Sequence, residues 1–134
     1  MRRLIRAGAL AAIVALVFAI PAGAVTKAHF SVAAIHVSSH HTDDAFVFTE
    51  RLRRHHRVVG HDEVTCHPRK HHKLSCKAVF FFAAGKVKAK GNFGRGDNRV
   101  QVIGGTRRFD GVAGKILIHD LSASKTRLEF FLVR

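Results

Sequence analysis

The stretch Val102-Ile103-Gly104-Gly105-Thr106-Arg107-Arg108-Phe109-Asp110-Gly111-Val112-Ala113-Gly114 decides how this chain is read. An apolar run meets the pair Gly104-Gly105, which lets a strand end in a backbone conformation closed to residues with a Cβ. Phe109 then has the position and size to tuck back as an apolar plug. Gly111 and Gly114 permit a tight passage into the next strand. A strand that stops, tucks a ring under itself and starts again is a structural device, so the element speaks for a fold rather than for chemistry.

On either side of it the same texture recurs. Short runs of Val, Ile, Phe and Thr alternate with Gly, Asn, Asp and His-rich turns, and no convincing amphipathic helix appears. Strands are predicted near Phe30–Val37, Ala45–Leu52, Val58–His67, Leu74–Phe82, Lys86–Phe93, Arg99–Ile103, Gly114–Leu121 and Thr126–Val133, with residues 25–29 as a tail and 40–44 as a loop. Their regular spacing and mostly short connections suit an antiparallel meander, and closure into a barrel would remove its exposed edges. The expected fold is therefore all-β, a single small eight-stranded antiparallel β-barrel over residues 25–134. In Lys86-Val87-Lys88-Ala89-Lys90 the lysines share one face, and a one-residue slip would bury them all, so the register is firmly set. Phe80-Phe81-Phe82 and Phe130-Phe131 do not alternate, which predicts an oligomer interface on the outside, as in a homodimer or homotrimer, or a covering segment.

The N-terminus reads as a secretory signal peptide over residues 1–24. Arg2, Arg3 and Arg6 precede an apolar run from Ala7 to Ile20, and Pro21-Ala22-Gly23-Ala24 supplies small residues for cleavage after Ala24. The run is short of the roughly 20 residues of a permanent span, so no stable membrane insertion is expected after cleavage. The leader takes three arginines with it and leaves 20 Lys+Arg against 9 Asp+Glu, a formal charge of +11. Such a protein is drawn to anionic wall or surface polymers. Specific nucleic-acid recognition is not expected: the aromatic residues are all Phe in core-like runs, and the chain is exported. Two cysteines, Cys66 and Cys76, in an exported chain suggest a disulfide.

The segment from Val59 to Leu121 resembles the allene oxide cyclase barrel and dirigent-protein superfamily in a bacterial secreted form. The matching pieces are Asp44-Ala45-Phe46-Val47-Phe48-Thr49, Val59-Gly60 followed by Cys66, Gly85-Lys86-Val87 ending at Gly91, and above all Val102 to Gly114. The resemblance implies a barrel whose interior is an apolar pocket that orients a small molecule for cyclisation or coupling. It places Phe46 and Phe48 on the pocket wall, Glu50 where the cyclases hold a water with Asn, Cys66 on a pocket cysteine, and Phe93 near a pocket Tyr. The first-strand Glu of the cyclases has no counterpart in Val32-Ala33-Ala34-Ile35-His36-Val37, there is no Tyr in the chain, and the dirigent Asp positions are lost. Neither plant activity carries over, and whether the protein is an enzyme stays open.

Asp62 and Glu50 are the catalytic candidates. Gly60, Asp62, Val64 and Cys66 share one strand face, and the match at Cys66 makes that face inward. Inside an apolar cavity the two carboxyls would have raised pKa values suited to general acid–base work. Alternatively each lies at the rim, paired with Arg or Lys. Phe46, Phe48, Val64 and Phe93 are the expected ligand contacts. The eleven histidines include the pairs His40-His41, His55-His56 and His71-His72 in expected turns. Adjacent strand residues face opposite ways, so a pair is no chelate, and neither a dedicated metal site nor a cofactor is expected. The competing reading for function is a non-enzymatic binder of anionic polymers.

Overall fold

The computed structural model describes residues 27–94 and 98–134. The signal-peptide reading over residues 1–24 lies outside them. Eight strands follow one another: β1 (Lys27–His41), β2 (Phe46–Arg54), β3 (Arg57–Pro68), β4 (Leu74–Phe82), β5 (Gly85–Phe93), β6 (Arg99–Gly105), β7 (Ala113–Ser122) and β8 (Lys125–Val133). Each pairs antiparallel with the next, and β8 pairs with β1, closing the barrel. Among the described residues the only helical turns are two short 3-10 segments, at Lys70–His72 and Arg107–Phe109.

β1 is longer than expected. Residues 27–29 and His40-His41, read above as tail and loop, belong to the strand. Its first part pairs with β8 and its last part with β2, and the register shifts between His36 and Ser38. The far end of β1 carries Ser and His with no apolar alternation, so the backbone ladder makes the strand there without a side-chain signature.

Two of the histidine pairs do lie in turns. His55 and His56, between β2 and β3, take φ of 50° and 65°, and His71 and His72 take 63° and 58°. The left-handed region is unusual for a side chain with a Cβ, although His enters it more readily than most. At the β2–β3 hairpin, two successive left-handed residues are what a two-residue hairpin connection demands. His40 and His41 stay on the strand.

One end of the barrel is solid. Phe30, Phe80, Phe82 and Phe130 interlock there: Phe30 stacks on Phe130 at 4.8 Å between centroids, and Phe80 meets Phe130 edge-on at 5.1 Å. Phe109 closes this end from beneath, 1% exposed, with its ring 5.9 Å from that of Phe82. The glycine element holds the plug in place. Thr106 N–H donates to the Lys86 carbonyl at 3.0 Å, and Lys86 N–H donates to Thr106 Oγ1 at 3.1 Å. A Cβ on Gly105 would lie 2.5 Å from the carbonyl oxygens of both Lys86 and Phe109, so only glycine lets the plug and β5 close on each other.

The outward phenylalanines are covered by their own neighbours. Phe81 stacks on His61 at 4.5 Å and lies under the Lys86 ammonium at 5.1 Å. Phe131 stacks on His29 at 4.3 Å and lies under Lys115 at 5.2 Å. The covering expected of a separate segment or a second copy is thus supplied in part by adjacent strands, through stems and rings whose polar ends stay in water.

Candidate functional site

Above the aromatic floor the barrel is hollow. A cavity of about 380 Å3 opens toward the end that carries the β1–β2, β3–β4, β5–β6 and β7–β8 connections. That volume suits a small organic molecule. Period-two alternation decides its lining: on each strand the residues that continue the core parity rise into the cavity. Phe46, Phe48 and Glu50 come from β2, Asp62, Val64 and Cys66 from β3, and Phe93 from β5. Phe46, Phe48, Val64 and Phe93, expected from the sequence to face a ligand, and both carboxyls therefore line one cavity. The floor is Phe80, with Ala78 and Ala89 leaving the space above it that larger side chains would fill.

Asp62 is 0% exposed, and neither carboxylate oxygen has a hydrogen-bond partner. The rim placement with an Arg or Lys partner does not occur for it. Its cross-strand neighbour is Glu50, and the neighbour of Glu50 on the other side is His36. His36, Glu50 and Asp62 thus form a row across β1, β2 and β3, running from the exposed His36 to the fully buried Asp62. His36 Nε2 lies 3.0 Å from Ser39 Oγ, and its ring is 6.4 Å from that of Phe48. The two carboxyls face each other across the β2–β3 ladder and act on one another through charge and, once one of them is protonated, through a hydrogen bond between them.

Burial pushes the Asp62 carboxyl up to about 8, and the neighbouring Glu50 charge adds to the rise. Burial also raises Glu50, partly offset by its contact with Asp62 and by the His36 ring. Two carboxyls this close in an apolar wall do not both ionise at neutral pH, so the pair retains a proton and one negative charge. Such a pair is able to give a proton to a bound molecule or take one from it.

Cys66 and Cys76 are direct partners across the β3–β4 ladder and form a disulfide, S–S 2.02 Å, on the cavity wall. The bridge leaves no pocket thiol and ties β3, which carries Asp62, to β4. The sequence reading missed Asp120, Thr126, Ile116, Ile118 and Leu128, which complete the wall from β7 and β8. Their alternation with the core positions Phe130 and Leu132 was a usable signal, but no motif singled them out. It also missed His36, whose inward parity follows from Val32 and Ala34. Among the described residues no group of three or more His, Cys, Asp and Glu side chains converges in a way that would hold a metal ion.

No protein-family model matches the chain, and no curated protein is significantly similar to it in sequence. The fold is similar to that of a solved structure named pyocyanin demethylase, with a TM-score of 0.63 at 13% identity, over 77% of this chain and 98% of that one. At that identity the likeness is one of fold: this chain shares a small barrel architecture with it, and the likeness does not extend to the allene oxide cyclase or dirigent assignment.

Proposed function

We propose that this chain is an exported barrel that holds a small, largely apolar molecule in its cavity and uses the Glu50–Asp62 pair to move a proton on or off it. The observation that carries the proposal is Asp62, 0% exposed and without a hydrogen-bond partner at the wall of a cavity of about 380 Å3. Burying a carboxyl with nothing to satisfy it costs stability, and a fold maintained only for packing would place an apolar residue there. The reaction class proposed is a steered cyclisation or coupling of the bound molecule, in which the protein mainly supplies position. The name of the structural neighbour, pyocyanin demethylase, describes an enzyme acting on a small molecule, in keeping with this reading. Export is supported by the leader at residues 1–24 and by the disulfide, which persists in oxidising compartments.

Binding is tested with a compact apolar probe, 1-adamantanol, followed by NMR. The expected shifts fall on Phe46, Phe48, Val64 and Phe93; shifts confined to the outer surface overturn the proposal. The proton-transfer part is tested on the molecule retained by protein isolated from its own host and identified by native mass spectrometry. Conversion that is unchanged in Glu50→Gln and Asp62→Asn removes the chemical role.

A second reading, attachment to anionic wall polymers, is favoured by the outer face of β4 and β5, where Lys77, Lys86, Lys88 and Lys90 are all exposed. It predicts binding that weakens steeply with salt and ignores changes inside the cavity.

A further inference from the structure

We infer that the molecule held in this cavity is a hydrophobic cation, an organic amine or protonated nitrogen heterocycle, recognised by the Glu50–Asp62 pair. The inference rests on the ligand-binding reading above and names its substrate class. The titratable and charged groups around the cavity are His36 on β1, Glu50 on β2, Asp62 on β3 and Asp120 on β7. Lys90 on β5 also contributes to the lining, but it belongs to the exposed lysine face of that strand. β4, β6 and β8 offer apolar side chains, the disulfide and the Thr126 hydroxyl.

The inner wall is therefore acidic while the chain as a whole is strongly basic. Asp62 is fully buried at that wall with Glu50 as its facing group and no Arg or Lys donor, so the pair's negative charge is half of an ion pair that an occupant would complete. An anionic occupant would meet like charge in an apolar setting. A neutral one could donate a hydrogen bond but would leave the negative charge of the pair without a counter-charge. A metal ion would need more oxygen ligands than the two facing carboxyls give it. The basic exterior repels small hydrophilic cations, so affinity has to come from apolar burial with one positive charge at the carboxyl pair.

The titration of the pair adds a signature. Near neutral pH it holds a proton, and an ammonium beside it favours the fully ionised form, so binding expels that proton. Affinity for the cation should rise as pH is raised toward about 8, where Asp62 ionises unaided.

The test uses three probes of one shape: 1-adamantylammonium, 1-adamantanol and 1-adamantanecarboxylate, measured by calorimetry on the disulfide-bonded protein. The ammonium is expected to bind at least about tenfold more tightly than the alcohol, and the carboxylate most weakly. Repeating the ammonium titration in two buffers of different ionisation enthalpy should reveal proton release, absent for the alcohol. The preference should disappear in the Glu50→Gln, Asp62→Asn double variant, whose neutral side chains of similar shape keep the wall intact. If the alcohol or the carboxylate binds as tightly as the ammonium, or if the preference survives in the variant, the inference fails and the ligand-binding reading stands. If none of the three binds, the ligand-binding reading fails and takes the inference with it.

Discussion

Replacing Asp62 with asparagine distinguishes a buried acid from an ordinary one. Its carboxyl is held at about 8 in the folded protein, by burial first and the Glu50 charge second, against about 3.9 in an unfolded chain. Between those values the folded protein binds a proton that the unfolded chain releases. The fold is therefore least burdened below about pH 4, loses stability as pH rises, and reaches a plateau above about 8. Each pH unit corresponds to about 1.4 kcal/mol, so the burden at neutral pH reaches about 4 kcal/mol. Asparagine keeps the shape and removes the ionisation. Its NH2 can donate to Glu50, while the amide oxygen is left without a donor, which costs about 1–3 kcal/mol. Asp62→Asn should consequently stabilise the protein by about 1–3 kcal/mol at neutral pH, with the gain disappearing or reversing near about pH 4. Guanidinium unfolding of both proteins across this pH range, disulfide intact, measures the difference directly. A difference that does not grow with pH would refute the placement of Asp62 as a buried acid.

Three further outcomes are expected. Val64→Phe should narrow the cavity and weaken binding of 1-adamantanol by NMR while the circular dichroism of the barrel is retained; unchanged binding by this variant would move the site elsewhere. Removing the bridge with Cys66→Ala and Cys76→Ala should destabilise the fold by about 2.5–3 kcal/mol in chemical denaturation, because it closes a short loop. Gly114→Ala should be among the most damaging single changes, at about 3 kcal/mol or more: φ is +133° and the added Cβ would lie 1.9 Å from the Phe131 carbonyl oxygen on β8. A normal unfolding midpoint would show that β7 and β8 are spaced more loosely than described.

The barrel was legible because local signals agreed. Lys86-Val87-Lys88-Ala89-Lys90 alternates, the Val102 to Gly114 element encodes a stop, a plug and a restart, and each strand shows its own run. Legibility failed where side chains stop carrying the pattern. The Ser-His end of β1 is held by its ladder to β2, and a ladder needs no particular residue. The site was legible on β2 and β3, since one inward residue fixes every second neighbour. It was not legible on β7 and β8, because which strands converge at the mouth depends on how the closed sheet tilts and staggers. Asp120 and Thr126, directly paired across those strands, look like ordinary polar residues beside a turn. The outward phenylalanines were legible only in part: sequence shows an apolar face but not the His and Lys side chains that neighbouring strands lay across some of it.

The aromatic floor divides the barrel into two halves with separate duties. Phe30, Phe80, Phe82, Phe109 and Phe130 hold one end shut, and the chain's packing is concentrated around them. Above the floor Ala78, Ala89, Val100, Ile116 and Leu128 belong to the same buried cluster, whereas Val64, Phe93 and Ile118 are only partly buried and are the positions freer to vary. A scaffold built this way is evolvable: its pocket can be retargeted by a few exchanges at Val64, Phe93 or Ile118 while the same floor keeps it folded.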